Sequence, residues 1–122
     1  MPGHTEFNIH IAYVDLTHNE LKAWVKDFDA PDPRKEMVAS LVSKTMPSAA
    51  DHLGEFAITF ADDGKLKLAS RKLGEWSVEV LDSSGGSMPS FAFDKFGNAH
   101  IGYTAGRALK YAHRDAALVP PQ

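Results

Sequence analysis

The chain has 122 residues, 13 Lys and Arg against 16 Asp and Glu for a formal charge of −3, and 43% hydrophobic content, which is one domain's worth of ordinary globular composition. Seven Phe, three Tyr and two Trp exclude a disordered tail; the mildly acidic balance excludes nucleic-acid binding driven by bulk charge; the absence of Cys excludes a disulfide scaffold. Residues 1–15 hold no basic stretch followed by an apolar core, and no run approaches about 18 apolar residues, so no secretory signal and no membrane span are expected, with a cytoplasmic location by default.

In chain order the sequence reads as strands. Phe7 to Val14 is the first, and the stretch around Leu21-Lys22 continues from it. Asp29 to Arg34, with Pro31 and Pro33, is a loop insertion, and Pro33 stops any helix from beginning earlier. Glu36 to Val42 has a composition that suits a helix, but its place in the repeat described below makes it a strand. Glu55 to Phe60 and the stretch from Leu66 follow, joined by Asp62-Asp63-Gly64, a hairpin turn in which Gly takes positive φ. Trp76 to Leu81 alternates Trp, Val and Val against Ser and Glu, the mark of a strand with one wetter face at an edge or outer position. Asp82 to Ser87 ends it as a flexible turn. Ser90 to Asp94 is a short apolar strand, Asp94 to Asn98 a turn, Ala99 to Thr104 a strand, Ala105-Gly106-Arg107 a tight turn, and Ala108 to His113 the last strand before the tail 116–122.

These strands repeat. Asn8-Ile9-His10-Ile11-Ala12-Tyr13 recurs 90 residues later as Asn98-Ala99-His100-Ile101-Gly102-Tyr103, with Glu55 to Phe60 as a middle copy. Met46-Pro47-Ser48 recurs as Met88-Pro89-Ser90, and Leu66-Lys67-Leu68-Ala69-Ser70-Arg71 aligns with Leu109-Lys110-Tyr111-Ala112-His113-Arg114. The unit is about 42–47 residues, with copies near 6–44, 45–87 and 88–115 that hold three, four and three strands. Four antiparallel strands in that length is what one propeller blade needs.

Gly74-Glu75-Trp76, Val80-Leu81-Asp82-Ser83, Pro-Ser-Phe-Ala-Phe-Asp at 89–94, Gly-Asn-Ala-His-Ile-Gly-Tyr at 97–103 and Leu-Lys-Tyr-Ala at 109–112 resemble a bacterial β-propeller repeat of the sialidase-like or BNR-like type. The resemblance covers residues 74–114 most fully and 8–26 in part. It implies an all-β fold of antiparallel four-stranded blades, here about two and a half of them. A closed propeller typically needs 4–8 blades, and fewer than three repeats leave blade faces bare. The expectation is a partial propeller completed by self-association into a homo-oligomer.

His10 and His100 occupy the same place in two copies, as ligands or, since register repeats local needs, as structural hydrogen-bonding groups. Trp24, Trp76, Tyr103 and Tyr111 are rings on which a sugar could stack, with core packing as the alternative. Trp24 replaces the Ala of the matching positions (Ala69, Ala112), so shared packing explains it least. Arg107, at a hairpin tip, is a candidate ligand or partner contact. The candidate ligand-binding set is Trp24, Arg107, Tyr103, His100 and His10. No metal or cofactor is expected: no HExxH or His-x3-His spacing occurs, Asp27-Phe28-Asp29 lacks a calcium-loop series, and there is no Gly-x-Ser-x-Gly elbow or P-loop. The Ser-x-Asp-x-Gly-x-x-Trp box of sialidases is also missing. The functional expectation is a non-enzymatic, lectin-like binding or assembly module that self-associates and binds no nucleic acid. A structural self-assembling protein without a small ligand comes second and a sialidase-like glycoside hydrolase fragment third.

Overall fold

Short strands joined by tight turns build the computed structural model, which describes residues 9–26, 32–43, 45–52, 55–72 and 75–115. The strands are β1 (Ile9–Asp15), β2 (Glu20–Lys26), β3 (Arg34–Ser40), β4 (Ser48–His52), β5 (Glu55–Asp62), β6 (Lys65–Lys72), β7 (Glu75–Asp82), β8 (Ser87–Phe93), β9 (Ala99–Ala105) and β10 (Ala108–Arg114). No helix occurs among the described residues. The first sheet has the order β1-β2-β3, the second β4-β5-β6-β7 and the third β10-β9-β8, and every pairing is antiparallel. The expected all-β class and the sheets of three, four and three strands are therefore present.

Several boundaries differ from the sequence reading, most by one or two residues. β3 starts at Arg34, which pairs with Val25, and ends at Ser40 rather than Val42. It ends there because the next amides leave the ladder: Leu41 N donates to Asn19 O at 2.9 Å and Val42 N to Asp62 Oδ1 at 3.0 Å. β8 starts at Ser87, because a register shift between Ser87 and Ser90 absorbs Met88 and Pro89. β1 runs to Asp15; Phe7, Asp27 to Pro31 and the tail lie outside the described residues. The turn at Asp63 and Gly64 has φ of 55° and 69°, as a two-residue hairpin turn requires. The turn after β8 is held by Asp94 Oδ1, which accepts from Phe96 N at 2.9 Å and Asn98 N at 3.0 Å.

Alternation within each strand sends apolar side chains to both faces of the second sheet, which explains why β5 is buried almost end to end. Phe56, Ile58, Phe60 and Ala69 pack on Leu21, Ala23, Val25 and Val38 of the first sheet. Ala57, Leu66 and Leu68, on its other face, pack on Phe91, Ala99, Ile101 and Tyr103 of the third. The sheets thus lie face to face in chain order, with two apolar seams. The sequence repeat is also a register repeat: Ile11 pairs with Trp24, Ile58 with Ala69, and Ile101 with Ala112.

Candidate functional site

Each seam carries an ionic latch at its rim. In the first, Arg71 donates Nε and a terminal N–H to the Glu36 carboxylate at 2.6 and 2.9 Å, and Trp76 Nε1 donates to it at 2.8 Å. Arg71 is the first cause, and Trp76 a further one, of the Glu36 carboxyl lying down at about 2 against partial desolvation. In the second seam Arg114 donates to Glu55 at 2.9 Å and Ser70 at 3.2 Å and lies 3.5 Å from Glu79. Arg71 and Arg114 are equivalent positions of the repeat. So are Glu36, paired through Ala23, and Glu79, paired through Leu68. Neither acid stands out in the sequence, because a Glu on a strand is ordinarily solvated; the signal available was that Glu36 and Glu79 stand the same distance ahead of the aligned Arg71 and Arg114.

The sequence-derived candidates do not gather at one place. His10 lies in the first seam, its side chain 11% exposed, stacked on Phe56 at 4.5 Å between ring centroids, with Nδ1 2.5 Å from Asp51 Oδ2. Tyr103 lies in the second seam, 5% exposed, its hydroxyl donating to Asp82 at 2.6 Å. That hydrogen bond pushes the Tyr103 hydroxyl up to about 12 and is also the first cause of Asp82 lying far below the usual carboxylate range. Arg107 is exposed at the β9–β10 turn. Trp24 is half-buried on the outer face of the first sheet, and His100 stands on the outer face of the third.

Those two outer faces are the open surfaces of the stack. The first sheet presents Ile9, Ile11 and Met37, about half exposed, together with Tyr13 and Trp24. On the third, Leu109 and Tyr111 are 83% and 62% exposed beside Thr104 and Gly102. Here the rings of His100, Tyr111 and His113 cluster with centroids 5.2–6.4 Å apart. His100 Nε2 lies 2.9 Å from Asp94 Oδ2. A carboxylate only accepts, so Nε2 carries a proton, and Nδ1 lies 2.5 Å from the Tyr111 hydroxyl. His100 is the first cause of the Asp94 carboxyl lying well below its ordinary range. Tyr111 and His113 were legible as rings, but only β9–β10 pairing shows that they share a face with His100.

A groove of about 480 Å³ opens between the sheet ends, lined by Leu16, Thr45, Met46, Ala61, Ser87 and Met88. Met46 and Met88, one pair of the Met-Pro-Ser repeat, meet there. Among the described residues no three metal-ligating side chains cluster. No protein-family model matches the chain, and no curated protein matches it significantly.

Proposed function

We propose that the chain is a non-enzymatic assembly module of blade-type sheets that self-associates through the outer faces of its first and third sheets. One observation carries this reading: both ends of the stack expose large apolar side chains, Ile9, Ile11 and Met37, interleaved with Lys22, Lys26 and Lys35, at one end and Leu109 and Tyr111 at the other. A soluble chain that leaves such faces on both ends of a stack has interfaces there. Backbone neighbours between the second and third sheets concentrate at β8, against β4 and β5, which suits sheets fanned about that side in the manner of propeller blades. A lectin-like role is the second reading, favoured by the open ring cluster of Tyr111, His100 and His113, on which a sugar could stack.

Light scattering after size exclusion tests the reading. The expected result is a discrete oligomer. A folded monomer at all concentrations would overturn assembly. If that monomer also binds glycans and loses them on Tyr111→Ala, the lectin reading stands in its place.

A further inference from the structure

We infer that association is head to tail: the outer face of the first sheet in one copy seats on the outer face of the third sheet in the next. This rests on the self-association proposed above and adds its polarity and register.

The two internal seams join the same two faces of the repeat, although β8 packs on the second sheet more closely than β4 packs on the first. In each, the face bearing the repeat's central Ile is laid onto the opposite face of the preceding sheet. Ile58 and Phe60 do this in the first seam, Ile101 and Tyr103 in the second. The receiving faces are Leu21, Ala23 and Val25 in the first and Leu66, Leu68 and Ser70 in the second. Each sheet therefore has a donating face and a receiving face. The first sheet's donating face, with Ile11 and Tyr13 at the equivalent places, covers nothing among the described residues. The third sheet's receiving face, with Leu109, Tyr111 and His113 at the equivalent places, is uncovered. These are the two halves of a third seam, and one chain cannot bring them together because its second sheet stands between them. A second copy can.

The departures from the repeat are complementary in size. On the donating face Trp24 stands where Ala69 and Ala112 stand in the other sheets. On the receiving face Gly102 stands where Ala12 and Thr59 stand, and a Cβ added at Gly102 would meet nothing within 4 Å. The larger side chain on one face thus answers a smaller one on the other, where Gly102 leaves open space beside its partner Tyr111. Both departures fit a seam formed only between copies, and a heterologous seam of this kind closes into a ring or extends as a filament.

Face-blocked variants test the polarity. Ile11→Asp blocks only the donating face; Leu109→Asp with Tyr111→Asp blocks only the receiving face. All three residues are exposed within the chain, and circular dichroism reports whether the fold is kept. Each variant alone is expected to be monomeric, and an equimolar mixture is expected to give a heterodimer of twice the monomer mass and nothing larger, because one intact seam remains. Gly102→Thr, which fills that open space without touching the monomer core, is expected to weaken wild-type association at least tenfold. If the wild type associates but the mixture stays monomeric, or one face-blocked variant still dimerises, head-to-tail polarity is overturned while self-association survives. A monomeric wild type removes both.

Discussion

At the scale of single residues, the Glu36 latch sets how the protein responds to acid. Its carboxylate is 18% exposed and takes three donated hydrogen bonds from the second sheet. A carboxyl depressed from 4.5 to about 2 is deprotonated more readily folded than unfolded. The stability it contributes is full above the ordinary carboxylate range and is lost as pH falls toward 2. Glu36→Gln keeps the shape and removes the charge. It is expected to cost about 1 kcal/mol at neutral pH, the modest value of a partly solvated ion pair. It should also flatten the decline of stability between pH 4.5 and 2, measured by denaturant unfolding across that range. Parallel decline in both proteins would show that the latch carries no weight. Residues like this one were hard to read in advance. His10 and His100 attracted attention because they repeat, yet their surroundings differ: His10 bridges two sheets to Asp51, whereas His100 bonds within its own sheet to Asp94 and Tyr111. Sequence register places a side chain on a strand, but it does not say whether a neighbouring sheet covers it.

Among the elements, strand positions were the most legible part of the chain, since period-2 alternation and turn residues are local signals. The strand at 36–42 was recovered from repeat register against its composition, and its end moved to Ser40 because the following amides bond outside the ladder. Burial along a strand was less legible. Alternation places Trp76, Val78 and Val80 on one face of β7, but only the Trp76 end packs on the first sheet, and Val78 and Val80 are 44% and 50% exposed. The segment between β7 and β8 shows the same limit. Its Ser-Ser-Gly-Gly-Ser composition suggests freedom, yet Gly86 lies so close to β6 that an added Cβ would stand 2.6 Å from the Leu66 Cβ and 3.0 Å from its Cα. Both are parts of a packed strand with no flexible end to move. Gly86→Ala is therefore expected to destabilise the fold by about 1–3 kcal/mol, the range for overpacking, read as a lowered midpoint in thermal or denaturant unfolding. Gly64→Ala is the informative contrast: nothing lies within 4 Å of its Cβ, so its cost comes from positive φ alone.

For the molecule as a whole, the repeat count already implied bare ends, because a row of sheets covers every face except the first and the last. It left open which residues those faces present, since a one-residue change of register turns a strand's side chains over; the β1–β2 and β9–β10 pairings settle it. If the two end faces seal against neighbouring copies, stability depends on concentration. The unfolded chain has no seam, so association stabilises the native state by mass action, by about 1.4 kcal/mol per tenfold rise in protein concentration for each seam formed. For a domain of this size that raises the unfolding midpoint by about 4 °C per tenfold. Wild-type protein scanned over a hundredfold concentration range should show this rise, and Ile11→Asp should unfold at one temperature throughout. Ile11 is half exposed within the chain, so its own contribution to the monomer core is small. Loss of the concentration dependence therefore reports on the seam and not on the fold. A wild-type midpoint that stays fixed over the same range would mean that the two apolar faces do not meet.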